Sequence, residues 1–202
     1  MNLFPFFTDI SGKTFLIVGG GDVAREKVES ISRFGEKIVI VACETDIEAT
    51  DRIKVYKRAF KPEDINGVDY VIGATGDRAL NEEIASLCDK AGIPVNIADD
   101  ADLCTFVMPS MVKRGRFVAA FSTNGASPAF AMCMRRTVED FVPEHIDDIL
   151  ARMEHVRGEA VRLIPEQPRR KRFFTELLTE LIETDNALSD EEIRERIRTY
   201  ER

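Results

Sequence analysis

Short runs of continuous apolar residues, separated by amphipathic stretches, dominate the first half of the chain. Thr14–Val18 (TFLIV), Lys37–Val41 (KIVIV), Ile53–Tyr56 (IKVY), Asp69–Ala74 (DYVIGA) and Pro94–Ala98 (PVNIA) are β-rich and mostly do not alternate. That is the pattern of strands buried on both faces. Between them, Val23–Arg33 places apolar residues at Val23, Ala24, Val28 and Ile31, and Asn81–Lys90 places them at Ile84, Ala85 and Leu87. These spacings predict helices, and strand–helix–strand alternation with crossovers of this length predicts βαβ units and a parallel sheet.

After Asp99 the pattern changes. Thr105–Val112 (TFVMPSMV) and Gly115–Ser122 (GRFVAAFS) read as two further strands, the first interrupted by Pro109 and therefore at an edge or a bend. Ser127 reads as a helix N-cap with Pro128 at the first helical position, where its missing N–H costs nothing. Ile146, Ile149, Leu150, Met153, Val156 and Ala160 form an apolar stripe at helical spacing. A break at Ile164–Pro168 precedes FFTELLTELI, and Ser189–Glu192 (SDEE) fits a capping box that opens a last helix. The expected fold class is α/β: a parallel sheet, then a small mixed segment, then an all-helical C-terminal domain.

Composition narrows the function classes. A chain of 202 residues with 44% apolar content can bury a core. The net charge of −8, with the two signs interspersed, gives no nucleic-acid surface, so an anionic ligand would need a local basic patch. No run approaches the roughly 20 apolar residues that span a bilayer, and MNLFPFFTDI lacks the cationic region and cleavage site of a signal peptide. No membrane association and a cytoplasmic location are expected. Cys43, Cys88, Cys104 and Cys133 show no C-x-x-C spacing, and the two histidines are His145 and His155. Neither a metal site nor a disulfide framework is signalled.

The candidate chemistry starts at LIVGGGDVAREK. Gly19, Gly21 and Ala24 fit G-x-G-x-x-A directly after a strand and at the opening of a helix, the context of a dinucleotide fingerprint. Gly19 permits a tight turn, Gly21 leaves room for pyrophosphate against backbone N–H groups, and Ala24 lets helix and strand pack closely. A glycine-rich turn with no ligand is the alternative, and the flanking strand and helix favour the nucleotide. The ribose-binding acid expected near the end of the second strand is Glu44, two or three residues late in register. No arginine stands there for a 2′-phosphate, which favours NAD over NADP. In an open parallel sheet, GGGD, Ala74–Asp77 (ATGD) and Ala98–Asp100 (ADD) should face one crevice, which adds Ala74 and Thr75 to the candidate cofactor set. Asp99 suits either of two roles at this stage, an acceptor for the proton released when a substrate loses a hydride, or part of an ordinary polar turn.

Four stretches in order, FPFFTDISGKTFLIVGGGDVAREKVESI, ATGDRALNEEI, VNIADDADLCTFVMPSMVKRG and FSTNGASPAFAMCMRRTVEDFVP, span residues 4–143. Together they resemble the precorrin-2 dehydrogenase and sirohydrochlorin ferrochelatase family, the unit that also forms the N-terminal half of many bifunctional siroheme synthases. The resemblance implies a homodimer with a Rossmann-like NAD-binding domain (1–112), a dimerisation segment (113–145) and a helical C-terminal domain (146–202). The activity it implies is NAD-dependent dehydrogenation of precorrin-2 to sirohydrochlorin in siroheme biosynthesis, with ferrous iron insertion in some members. Asp99 matches the family's proposed general base. Asp22 and Val23 match its cofactor contacts on the glycine loop, Cys43 and Glu44 those after the second strand, and Thr123 a hydroxyl position that is often serine.

Precorrin-2 carries eight carboxylates, so Lys113, Arg114 and Arg135, with Arg136 beside it, are candidate substrate cations, and Ser127 offers helix N-terminal donors. A solvated face is the alternative for each cation. Two positions depart from the family pattern. Asn124 stands where a second glycine is common, and Asn tolerates the left-handed conformation. Met132 stands in place of an arginine and removes one carboxylate partner. Two rival functions are an NAD-sensing module without catalysis, which leaves Asp99 and LCTFVMPS unexplained, and a chelatase with vestigial dehydrogenase activity, which finds no histidine in the crevice motifs.

Overall fold

The five apolar runs of the first half become one parallel sheet in the computed structural model, which describes residues 2–201. The strands are β1 (Thr14–Val18), β2 (Lys37–Ala42), β3 (Ile53–Lys57), β4 (Tyr70–Gly73) and β5 (Val95–Ile97), in the order β3-β2-β1-β4-β5. Val18 lies opposite Val41 on one side and Gly73 on the other, so the strand order reverses at the exit of β1. The chain divides into two units, Met1–Met108 and Pro109–Arg202.

The runs of β1, β2, β4 and β5 do not alternate because both faces of the sheet are covered there, whereas β3, at the sheet edge, alternates between half-buried and exposed residues. Ile17 and its sheet neighbours Ile38, Ile40 and Ile72 pack with Ala24, Val28 and Ile31 of α1 (Asp22–Ser32). Leu16 and Val18 pack with Ile84, Ala85 and Cys88 of α2 (Arg78–Ala91). Alternate residues of β1 thus serve two separate cores, and a slip of one residue would exchange them. Asp77 caps α2 by accepting from the N–H groups of Ala79 and Leu80 at 2.9 and 3.2 Å, and Gly92 ends it at φ +67°.

In the second unit, β6 (Ser110–Arg114) and β7 (Phe117–Phe121) form an antiparallel hairpin. Four helices follow, α3 (Pro128–Phe141), α4 (Ile146–Leu163), α5 (Gln167–Glu183) and α6 (Asp190–Glu201). The stripe residues Ile146, Ile149, Val156 and Ala160 meet Phe173, Leu177, Leu181, Ile193 and Ile197 in one core. The expected capping box is present: Ser189 N donates to Glu192 Oε2 at 2.7 Å and Glu192 N donates to Ser189 Oγ at 3.3 Å. Among the described residues no helix is long and apolar enough to cross a membrane.

The α/β class is as expected, but one strand is shorter than its pattern. The run Thr105–Val112 pairs only from Ser110 onward. Thr105 is bound instead to β5, its N–H donating to Val95 O and its Oγ1 accepting from Val95 N, each at 2.8 Å. Phe106 meets the Tyr70 ring edge-on at 5.8 Å. Pro109 has no N–H to extend the ladder, so the hairpin begins after it.

Because the Phe173 core contains no residue of the first unit, Phe173→Ala should cost about 3–5 kcal/mol of stability in chemical denaturation. Dinucleotide affinity measured by titration of the still-folded protein should not change.

Candidate functional site

The glycine loop is shaped by two contacts. A Cβ on Gly19, which sits at φ +123°, would lie 2.2 Å from the carbonyl oxygen of Ala74. One on Gly20 would lie 2.2 Å from the carbonyl oxygen of Glu44 and 2.6 Å from Thr45 Cβ. Gly21 differs, because an added Cβ meets nothing within 4 Å and its φ of −86° is open to any residue. The fold therefore explains Gly19 and Gly20, while no protein atom explains Gly21. Gly21 is also the N-cap of α1 and has no side chain to satisfy the first-turn amides. An open N-terminus with a bare Cα suits a pyrophosphate, so the residues present fit a dinucleotide.

Backbone bonds stitch the carboxyl ends of the strands into one row. Gly19 N donates to Val41 O at 2.9 Å, Ala74 N to Val18 O at 2.8 Å and Ala98 N to Gly73 O at 2.8 Å. Cys43 and Glu44 follow the buried end of β2 and are exposed. Thr45 Oγ1 donates to Gly20 O at 3.2 Å, and Arg25 holds Asp46 at 2.6 and 2.8 Å. Arg58, whose N–H reaches Ala42 O at 2.9 Å, has its guanidinium on both oxygens of Asp64 at 2.6 and 2.7 Å. That guanidinium holds the Asp64 carboxyl below the usual carboxylate range. Both arginines near the Glu44 loop are thus committed to carboxylates.

The loop after β4 turns on Asn81. Thr75 Oγ1 donates to Asn81 Oδ1 at 2.8 Å, and Asn81 Nδ2 returns to Thr75 O at 3.1 Å. Asn81 is 7% exposed, and its buried amide is satisfied at both ends. The sequence reading missed it, although a signal was available: Asn81, Ile84, Ala85 and Cys88 share the buried face of α2, so Asn81 is a polar residue in an apolar stripe.

Asp99 stands in a turn just beyond β5 at φ +63°, in the left-handed region, and is exposed. Among the described residues no hydrogen bond or ion pair engages its carboxylate. Its neighbour Asp100 has a local task, accepting from Asp102 N at 3.3 Å. The two aspartates of ADD are therefore unlike: one closes a turn and the other projects from it.

The candidates of the second unit are mostly engaged within it. Lys113 donates to Gly115 O, Arg114 to Val142 O at the end of α3, and Arg135 to Glu139 one turn along. Arg116 reaches Asp147 at 3.2 Å and Glu154 at 3.4 Å. Arg136 is exposed and has no such partner among the described residues. Thr123 Oγ1 accepts from Ser127 N at 2.9 Å, and Ser127 Oγ accepts from Phe130 N at 3.2 Å, capping α3. Asn124 adopts φ +53° and Gly125 φ +82°, so the turn keeps its left-handed pair. Among the described residues no group of three or more His, Cys, Asp or Glu is gathered to hold a metal ion.

A family model described as "Putative NAD(P)-binding" matches residues 6–110, more than half of the chain. The chain belongs to this family. Siroheme synthases carry the same resemblance further. That of Nitrosomonas eutropha is 34% identical over 184 residues, 88% of this chain and 39% of the relative. That of Methylococcus capsulatus is 35% identical over 181 residues, 87% of this chain and 38% of the relative. The chain thus spans about two fifths of the length of the relatives it matches. The solved structure of SirC, precorrin-2 dehydrogenase, superposes with a TM-score of 0.67 at 25% identity, covering 98% of this chain and 99% of that one. The relationship expected from the motif string is borne out, and with it a nicotinamide-cofactor fold.

Gly20 and Gly21 should separate fold from ligand. Gly20→Ala should cost about 1–3 kcal/mol in urea denaturation, as overpacking does. Gly21→Ala should cost within about 1 kcal/mol, yet weaken NAD binding at least about tenfold in a fluorescence titration. Unchanged affinity in Gly21→Ala would remove the open side of Gly21 from the cofactor site.

Proposed function

We propose that the chain dehydrogenates precorrin-2 to sirohydrochlorin with NAD, and that Asp99 accepts the proton. The observation that carries this reading is the Asp99 carboxylate, without a partner among the described residues and at φ +63°, on the same carboxyl edge of the sheet as the glycine loop. The names of the relatives, siroheme synthase and precorrin-2 dehydrogenase, supply the substrate.

The dinucleotide, when bound, supplies a nicotinamide ring that accepts a hydride. Substrate oxidation then releases one hydride and one proton. Asp99 takes the proton on a carboxylate oxygen and, being exposed, returns it to water. Gly21 and the first-turn amides of α1 would hold the pyrophosphate, with Asp22 and Val23 at the same turn. Glu44 would accept from the ribose hydroxyls, with Cys43 beside it. Ala74 and Thr75, braced by Asn81, would lie toward the nicotinamide end. NAD rather than NADP is supported by Arg25 and Arg58, which are paired with Asp46 and Asp64 and not available to a 2′-phosphate.

For the substrate carboxylates we assign Lys113, Arg114, Thr123, Ser127 and Arg135, and add Arg136, which has no ion-pair partner among the described residues. We further infer that 113–145 pairs with a second copy, because Phe130, Met132 and Phe141 of α3 leave large apolar surface exposed. The helical part from 146 closes its own core. Four free cysteines suit the reducing cytoplasm.

Anaerobic incubation with precorrin-2 and NAD, followed by NADH absorbance, tests the reading. The wild type should form NADH, and Asp99→Asn should lose about 10²–10⁴-fold in kcat with NAD affinity retained. Normal turnover in that variant would overturn the base assignment, and tight binding without wild-type turnover would make the chain a nicotinamide-sensing module. Bound NAD should also slow alkylation of Cys43 and leave that of Cys133 unchanged, as read by mass spectrometry.

A further inference from the structure

The turn that presents Asp99 is closed poorly by its own backbone. Asp100 N reaches Ile97 O only at 3.5 Å, the outer limit of a hydrogen bond. The Cys104 sulfur supplies what that contact lacks. It accepts from Ile97 N at 3.1 Å, and its S–H faces Asp100 O at 3.2 Å and Ile97 O at 3.3 Å. Asn96 Nδ2 approaches it at 3.5 Å. One thiol therefore ties the residues on both sides of Asp99.

We propose that Cys104 is a positioning residue for Asp99, its thiol clamping the turn on which that carboxylate stands. The proposal rests on the reading of Asp99 as the proton acceptor. Among the described residues Asp99 has no side-chain partner, so the direction of its carboxylate is set by the backbone of the turn. The clamp is itself anchored, because Thr105 N donates to Val95 O at 2.8 Å and Asn96 Nδ2 donates to Phe106 O at 3.0 Å. Those bonds pin the chain that follows the thiol to β5. Burial pushes the Cys104 thiol up, against the pull of its backbone bond to Ile97, so the S–H donor persists at neutral pH. A hydroxyl offers the same donor and acceptor but favours distances of about 2.7–3.0 Å, shorter than this site presents. Serine should therefore replace cysteine in part, and alanine not at all.

The wild-type chain is compared with Cys104→Ser, Cys104→Ala, Asp99→Asn and the double variant Asp99→Asn/Cys104→Ala. The readouts are kcat for anaerobic NADH formation from precorrin-2, NAD affinity and thermal midpoint. Cys104→Ala should lower kcat by about 10–100-fold, the effect of a misplaced catalytic group, with NAD affinity unchanged. Cys104→Ser should fall between it and the wild type. In the Asp99→Asn background the alanine change should cause no further loss, because the group it positions is already gone.

An equal loss in both backgrounds would show a general structural role and overturn the proposal. Wild-type kcat in Cys104→Ala beside a disabled Asp99→Asn would overturn the clamp alone. Wild-type kcat in Asp99→Asn would overturn the Asp99 reading, and the clamp with it. If Cys104→Ala does not fold, Cys104→Ser decides: reduced kcat at an unchanged thermal midpoint supports the clamp, and wild-type kcat overturns it.

Discussion

The carboxyl edge of the parallel sheet depends on how closely the exit of β1 approaches its neighbours. Gly19 rests against the carbonyl of Ala74 beyond β4, and Gly20 against the carbonyl of Glu44 beyond β2. Any side chain at either position would force these strand exits apart. With both positions bare, the backbone bonds of Gly19, Ala74 and Ala98 align the exits, and α1 starts where the strand order reverses. That is the place where an open α/β sheet leaves a crevice. Gly21 then remains as the one glycine of the three that no packing contact requires.

Charge is managed locally in a chain whose net charge is −8. Most arginines of interest are tied to carboxylates or carbonyls, and their partners are the reason they do not all count as ligand sites. Arg114 supports the end of α3, Arg135 braces its own helix, and Arg58 locks Asp64. Asp99 has the opposite arrangement. Its carboxylate is held out by backbone conformation, and among the described residues no donor reaches its oxygens. A non-glycine residue at φ +63° is costly enough that surrounding structure must impose it, and here β5, the Cys104 thiol and the Thr105 bonds do so.

Much of this was legible in the sequence, for physical reasons that differ by element. Strands β1, β2, β4 and β5 were visible because burial on both faces demands unbroken apolar runs. The Ser127 and Ser189 caps were visible because orphan amides select a few side chains at fixed offsets. Thr105–Met108 was misread as strand, since apolar β-formers that pack beside β5 look the same as residues of a ladder. Asn81 and Gly20 were passed over because their roles lie across the fold: one amide braces a loop six residues back, and one missing Cβ clears a carbonyl 24 residues ahead. The choice between Arg135 and Arg136 was equally closed to sequence, because adjacent identical residues differ only in what surrounds them.

By itself the sequence determined the class of fold, most strand and helix positions, the glycine motif and the family, because each depends on local periodicity or on short ordered strings. Only the tertiary structure decided which glycines serve the fold and which one no packing contact requires, which aspartate of ADD closes a turn and which projects from it, and which cations are already paired. Those are differences between neighbours of the same residue type. They arise from contacts between strand exits and loops far apart in the chain, where no local pattern records them.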